Sequence, residues 1–97
     1  MRWKEIPGYE RQYEVSEDGL IRNWATWKIL KSRKARDGSY LVNLSSKGEK
    51  KTFMVHKLVA TVYVPNPEGK RFIKHKDGNK KNNAACNLYW THVNQKV

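Results

Sequence analysis

One stretch near the end of the chain organises the whole sequence: Lys74-His75-Lys76-Asp77-Gly78-Asn79-Lys80-Lys81-Asn82-Asn83, followed by Asn87-Leu88-Tyr89-Trp90. A histidine stands directly before an Asp-Gly-Asn turn, and several asparagines follow before an aromatic strand end. Residues 70 to 81 hold six cations against one acid, Asp77. A histidine can take a proton from water, and a positive loop attracts and holds phosphates. The stretch therefore suits chemistry on a phosphodiester.

The composition describes a small and strongly basic protein. With 97 residues, the chain is long enough for one domain or two small modules. Its net charge of +11 indicates a polyanionic partner, for which nucleic acid is the favoured choice. An anionic membrane is the rival partner, but it would need a basic amphipathic helix, and the one good helix candidate is short and mostly apolar. We therefore predict no membrane association.

The single cysteine, Cys86, excludes a disulfide within the chain and is expected to be a small buried filler. One cysteine and three scattered histidines do not have the spacing of a structural zinc site. The N-terminus lacks the apolar segment of a signal peptide. These features predict an intracellular protein.

The first half of the chain predicts short antiparallel strands joined by turns. An Asp-Gly turn at residues 17 to 19 separates two short strands, and a Lys-Gly tip at residues 47 to 48 separates two more. The predicted strands are Tyr13–Ser16, Leu20–Asn23, Tyr40–Leu44 and Lys51–Met54. We expect them to form one small antiparallel sheet with a wet, basic face.

The second half begins with a change of pattern. Val55, Leu58, Val59 and Val62 follow helical spacing, although the valines leave a buried strand as the alternative. Pro65 should end this element. Beyond it we predict a strand over residues 71 to 75, an irregular loop, a strand over residues 88 to 90 and a final helical turn capped by Thr91.

This order of elements predicts where the chemistry lies. His75 at a strand end would have a fixed backbone, and Asn87 could hydrogen-bond across the loop and lock the ring. The last helix could present a metal ligand, either His92 or Asn94. Asp77 most simply shapes its turn, with metal ligation as the alternative. A hard divalent ion at such a site would polarise a phosphate oxygen.

At this point the residues resemble a known family, the HNH homing endonucleases of phages and introns. In the second half, the resemblance rests on residues 55 to 60, Pro65-Asn66-Pro67, residues 75 to 79, Asn82-Asn83 and residues 87 to 91. In the first half, it rests on residues 3 to 10, residues 13 to 16 and Gly19, which are similar to the small DNA-contacting module that precedes the HNH unit. The ordered set covers nearly the whole chain.

The resemblance implies an α+β fold in which a small N-terminal antiparallel sheet is followed by a ββα-metal (HNH, His-Me finger) unit. Residues 1 to 54 would be the β-rich DNA-contacting module, and residues 55 to 97 the nuclease module. His75 would be the general base, and Asn87 would orient it by bracing the loop. Asn94 would be the helix metal ligand, with one Mg²⁺ or Mn²⁺ ion as cofactor.

Two positions depart from the family pattern. The residue before the base is often Asp or Asn and helps to bind metal, whereas here it is Lys74. Asn94 follows Trp90 by four residues rather than about six, so His92 could take its place or the final helix could be displaced, and the chain ends three residues later. A catalytically degenerate HNH protein that binds DNA or a protein partner without cutting is therefore the alternative to a nicking endonuclease. A basic RNA-binding domain is the third reading.

Double-stranded DNA is the expected partner of a monomeric protein from a phage or mobile element, and a protein partner could add specificity. The residues expected to contact DNA are the cations of two segments: Lys28, Lys31, Arg33, Lys34, Arg36, Lys74, Lys76, Lys80 and Lys81. Such contacts position a protein without reading sequence.

We expect the four tryptophans to be mainly core residues and His56 to be structural. An exposed Tyr or Trp could stack on bases, but the sequence does not say which.

Overall fold

A computed structural model describes residues 2 to 92 of the chain. The first half contains six strands: β1 (Trp3–Glu5), β2 (Tyr13–Ser16), β3 (Ile21–Asn23), β4 (Arg33–Lys34), β5 (Tyr40–Ser46) and β6 (Glu49–Met54). The second half contains helix α1 (Val55–Tyr63), strand β7 (Phe72–His75), a 3₁₀ turn (Ala85–Asn87) and strand β8 (Leu88–Thr91). The mixture confirms the predicted α+β class.

The strands described between residues 2 and 92 form three small antiparallel sheets rather than one N-terminal sheet and a hairpin. β1, β2 and β3 form the first in that order, β4, β5 and β6 the second, and β7 pairs with β8. Within residues 2 to 92, the β5–β6 hairpin pairs with β4 and not with β3, so it belongs to a sheet of its own, in which Arg33–Lys34 pairs with Leu41 and Tyr40. Two residues are too few for an alternating pattern to show in the sequence.

Helix α1 resolves the open choice between helix and buried strand. Val55, Leu58 and Val59 lie on one buried face, with the i, i+3 and i+4 spacing that a helix needs. Burial against the sheets outweighs the modest helix propensity of valine. The helix ends at Tyr63 because Pro65 holds Val64 in an extended conformation (φ −109°, ψ 113°).

One continuous core joins both halves of the chain. Ile6, Val15 and Leu44 from the first half contact the cluster that contains Val59 of α1 and Leu88 of β8. Helix α1 packs on strands of all three sheets. The β7–β8 hairpin, which carries His75, is therefore supported by the N-terminal strands through the helix.

Several expectations about side chains and the chain end are corrected. Trp24 and Trp27 are exposed rather than core residues, whereas Trp90 is partly buried and donates its indole N–H to the carbonyl of Val64 at 3.1 Å. Cys86 is exposed, because it lies in the 3₁₀ turn on the surface. Thr91 belongs to strand β8. The predicted final turn through residue 95 lies outside the described residues.

Candidate active site around His75

His75 is the last residue of β7, where its backbone is held by pairing with Leu88 of β8. Its side chain is buried, with only 7% of its surface exposed. Strand pairing continues one step further, because the N–H of Lys76 donates to the carbonyl of Asn87 at 2.7 Å. The ring therefore projects from a rigid strand end, as the sequence predicts.

The contact that holds the ring comes from Asn83. Its Oδ1 atom lies 2.8 Å from Nε2 of His75, and both side chains are buried. Since an amide oxygen can only accept, Nε2 carries the ring proton and Nδ1 keeps its lone pair. Among residues 2 to 92, the buried Nδ1 atom has no hydrogen-bond partner.

Asn87 braces the loop rather than contacting the ring. Its Oδ1 accepts from the N–H of Asp77 at 3.2 Å, and its Nδ2 donates to Asp77 Oδ1 and to the carbonyl of Asn82, both at 2.9 Å. These bonds tie the start of the loop to its end. The bracing expected of Asn87 is thus present in the geometry, while the direct lock on His75 belongs to Asn83.

Asp77 is the centre of the loop's hydrogen bonds. Its Oδ1 accepts from the N–H of Asn79 at 2.8 Å as well as from Asn87, and its Oδ2 accepts from Asn82 Nδ2 at 3.2 Å. The backbone N–H of Asn79 and the side chains of Asn87 and Asn82 hold the pKa of this carboxyl below its usual range. Asp77 therefore stays ionised while it shapes the turn.

The predicted metal ligands do not come together in the described part of the chain. Among residues 2 to 92, no group of three or more His, Cys, Asp or Glu side chains could hold a metal ion. Asp77 has most of its acceptor capacity used within the loop. His92 is exposed and directly follows Thr91, which pairs with Phe72 at the end of the hairpin opposite His75. Asn94 lies outside the described residues, so the described residues do not complete a donor set.

A second histidine, His56, which the sequence predicts to be structural, lies against His75. His56, in the first turn of α1, places its ring centroid 5.2 Å from that of His75, with the ring planes at 66°. Burial, and then the proximity of His75, lower the pKa of His56 to about 4. His56 is therefore neutral at physiological pH. The position of His56 in the first turn of a helix that follows a strand is the sequence feature that could have indicated its place beside His75.

The turn between β2 and β3 supports the same loop from the other side. Gly19 packs against Asn83, and the carbonyl of Glu17 accepts a bond of 2.7 Å from the N–H of Ala85. Lys80 reaches back from the loop and donates its ammonium to the carbonyl of Asp37. The first half of the chain thus fixes the loop that holds His75.

The predicted DNA-contacting cations lie on the surface. Those of the first segment are all exposed, and so are Lys76 and Lys81, whereas Lys74 and Lys80 are half-buried. Lys74 is paired with Tyr89 inside the hairpin, directly beside His75. The loop around the buried histidine therefore remains strongly positive.

Known proteins are similar to this chain both in its N-terminal half and over its whole length. Residues 1 to 45 match the NUMOD4 motif, and the chain is similar to proteins named as HNH endonucleases. One relative is the DNA endonuclease I-HmuI of Bacillus phage SP01, 42% identical over 97 residues, which are all of this chain and 55% of the relative.

Two further comparisons agree. The uncharacterized HNH endonuclease L245 of Acanthamoeba polyphaga mimivirus is 46% identical over 90 residues, which are 93% of this chain and 27% of that protein. A solved structure described as DNA binding and cleavage by the HNH homing endonuclease I-HmuI superimposes with a TM-score of 0.86 at 42% identity, covering 94% of this chain and 52% of that one. The chain thus spans about half the length of I-HmuI and a smaller part of the viral relative.

Proposed function

We propose that this protein is a DNA-binding HNH endonuclease that hydrolyses phosphodiester bonds and nicks one strand of duplex DNA. The observation that carries the proposal is the contact between His75 and Asn83, because it leaves a lone pair on a ring that a strand end and a braced loop hold in place. A base held in this way can take the proton of an attacking water. The homology to endonucleases over the whole chain supports the same activity.

The surface charge supports a duplex as the substrate. The loop that contains Lys76 and Lys81 and the segment from Lys28 to Arg36 present exposed cations on the same small protein. Such cations attract the DNA backbone and release its counterions on binding, so affinity should fall steeply as salt rises. The solved relative is described as binding and cleaving DNA, which agrees with this assignment.

A divalent ion, Mg²⁺ or Mn²⁺, is part of the proposal on the strength of the relatives, since HNH endonucleases generally depend on one. When bound, such an ion would stabilise negative charge on the phosphate. Asn94 remains the proposed ligand from this chain, because Asp77 is hydrogen-bonded within the loop and His92 follows the end of the hairpin opposite His75.

The setting and assembly are also proposals. Relatives from a phage and a giant virus support an intracellular role in a host cell. No helix in residues 2 to 92 is long and apolar enough to cross a membrane. We propose a monomer with a nuclease module from residue 55 onwards, to which a protein partner could add specificity.

Lys74 favours a second candidate, a protein of the same fold that binds DNA without cutting it. Lys74, a half-buried residue directly before His75, stands where relatives often carry a carboxylate or an amide, and its positive charge disfavours a cation nearby. The two candidates make different predictions for cleavage but the same prediction for binding.

Plasmid nicking by the wild type and by His75→Gln, in Mg²⁺, in Mn²⁺ and in EDTA, separates the two. The endonuclease proposal expects metal-dependent nicking that falls at least a hundredfold in the variant, with duplex binding retained in a gel shift. Lys50→Ala, an exposed cation on β6, is the control and should cut like the wild type. If neither the wild type nor the variant cuts while both bind duplex DNA, the second candidate is correct.

A further inference from the structure

Three side chains form a stack on the N-terminal sheet that the proposed chemistry does not use. The guanidinium carbon of Arg22 lies 4.1 Å from the ring centroid of Trp3 and 4.7 Å from that of Trp27. Arg22 is held from the side by Glu14, whose carboxylate accepts from its Nε at 2.7 Å. We call this arrangement the Trp3–Arg22–Trp27 stack. It fixes the Trp27 ring before any ligand arrives.

Trp27 is nevertheless the most exposed of the large hydrophobic side chains described, with 68% of its surface open to solvent. The arginine contacts one part of the ring and leaves the rest free. A single exposed apolar side chain needs no explanation, but Trp24 and Ile29 of the same segment are exposed as well, and an exposed apolar group of this kind marks a binding site. The exposure therefore points to an occupant that is absent from the free protein.

The backbone under Trp27 strengthens this reading. The turn begins at Asn23, whose side chain accepts from the N–H groups of Ala25 and Thr26, and whose carbonyl accepts from the N–H of Trp27 at 2.8 Å. Trp27 then adopts φ +62°, a left-handed conformation that favours glycine. A bulky aromatic side chain here costs the free protein conformational stability.

The surroundings of Trp27 indicate which occupant fits. Trp24 and Ile29 are also exposed, and Lys28 and Lys31 line one shallow cavity with Ile29. Residues 23 to 31 contain no acid, and the nearby Glu14 is paired with Arg22. Aromatic faces flanked by cations match the bases and the phosphates of nucleic acid, respectively.

We propose that Trp27 inserts against the bases of bound duplex DNA and extends the Trp3–Arg22–Trp27 stack by one base or base step. The cations beside it would hold the flanking phosphates, as wedge residues of duplex-binding proteins require. Insertion separates two stacked base pairs, so it should favour the steps that unstack most easily, such as TA and CA. This inference rests on the proposed DNA-binding function and adds a specific contact to it.

The central test is Trp27→Gly, because glycine adopts the same backbone conformation without strain. Its affinity for a fluorescein-labelled 30-base-pair duplex of mixed sequence should fall about tenfold, the effect of losing one stacked base. The dependence of affinity on salt should keep its slope, since no phosphate contact is removed. The melting temperature should stay unchanged or rise.

Two comparisons make the result specific. Lys47→Gly is the matched control, because Lys47 is an exposed residue with φ +52° at the β5–β6 turn, and this change should leave DNA affinity unchanged. The second readout is tryptophan fluorescence, which duplex DNA should quench more in the wild type than in Trp27→Gly. Trp27→Tyr should restore part of the affinity.

The proposal is overturned if Trp27→Gly binds the duplex as tightly as the wild type, or if its fluorescence is quenched equally. It is also overturned if the variant loses binding to phosphatidylserine vesicles while its DNA affinity is intact, because the stack would then face lipid. A separate pair, Lys28→Ala with Lys31→Ala, should reduce the salt slope. If the wild type itself does not bind duplex DNA, the proposed function fails before the stack is tested.

Discussion

The amide oxygen of Asn83 lies 2.8 Å from Nε2 of His75, and the two side chains are buried together between the β7–β8 hairpin and the N-terminal strands. This contact links two parts of the asparagine-rich loop that are eight residues apart. It sets which ring nitrogen carries the proton, and it resists rotation of the ring. The proposed base is therefore positioned by a neighbour in its own loop.

Replacing Asn83 should separate positioning from binding. Asn83→Leu keeps a similar volume but leaves the N–H of His75 without an acceptor, so it should lower the free energy of unfolding by about 1–3 kcal/mol. Nicking should fall at least tenfold because the ring loses its preferred tautomer, while duplex binding persists. Asn43→Leu on β5, which removes an amide bonded to Thr52, is the control and should nick normally. Unchanged nicking in Asn83→Leu would contradict the positioning role.

Gly19 offers a second way to disturb Asn83, from outside the loop. A Cβ at Gly19 would lie 3.0 Å from both Cβ and the carbonyl oxygen of Asn83, and the residue has φ +94°. Gly19→Ala should therefore lower stability by about 1–3 kcal/mol and reduce nicking by displacing Asn83.

Gly48→Ala is the matched control for this change. Gly48 has φ +81°, but a Cβ there would have nothing within 4 Å. Gly48→Ala should lower stability through the same unfavourable backbone conformation, but it should leave nicking unchanged. Thermal melting and plasmid nicking of the two variants measure the two effects, and equal nicking by both would show that the contact between Gly19 and Asn83 does not matter.

His56 should make stability depend on pH. Its pKa is about 4 when folded, against an ordinary value of 6.5, because it is largely buried and faces His75. The unfolded chain binds this proton more tightly, so stability should be complete above about pH 6.5 and be lost as pH falls towards 4. The shift corresponds to about 3 kcal/mol at the acid end, and partial exposure reduces the expected loss to about 1–2 kcal/mol.

Urea unfolding between pH 4 and pH 7, with wild type and His56→Gln, measures this dependence. The variant should show a flatter curve over that range, because glutamine does not titrate. Proton NMR of the ring should show His56 neutral down to about pH 5. A ring that titrates near 6.5 would contradict the burial of His56.

Metal binding should respond most strongly to a substitution of Lys74. Lys74→Asp replaces an ammonium beside His75 with a carboxylate, which is the residue type that relatives often carry there and one that hard divalent ions prefer. We expect tighter Mn²⁺ binding by calorimetry and faster nicking at low Mn²⁺. Lys76→Asp makes the same change of charge on the exposed loop and should not improve metal binding to the same degree. Equal gains in both variants would mean that only the overall charge matters.

Much of the fold could be predicted because its signals are local. The helical spacing that begins at Val55 depends on residues a few positions apart, and Asp-Gly and Lys-Gly pairs mark turns wherever they occur. The strands that were missed, Trp3–Glu5 and Arg33–Lys34, are too short to show alternation and exist because a partner strand is present. Their pairing is a tertiary property.

The candidate site could be predicted only in part. His75 and Asn87 stand out by their place in an ordered motif, and the structure shows Asn87 bracing the loop. Asn83 belongs to the same motif, but nothing in the sequence distinguishes it from Asn82 as the partner of the ring. The burial of the Asn83 side chain and the exposure of Asn82 depend on how the loop folds back across the β2–β3 turn.

The sequence by itself predicted the α+β composition, the turns, the histidine proposed as the base and, through a resemblance, a relation to HNH endonucleases, while it left the element at Val55 open between helix and strand. These follow from periodicity, from turn chemistry and from an ordered motif, all of which can be read along the chain. Only the tertiary structure decided that Asn83 holds His75, that the half-buried His56 ring lies against His75, and that Trp27 stacks on Arg22 in an exposed position. These contacts join residues on separate elements, and packing of the sheets, helix and loop around one core brings those elements together.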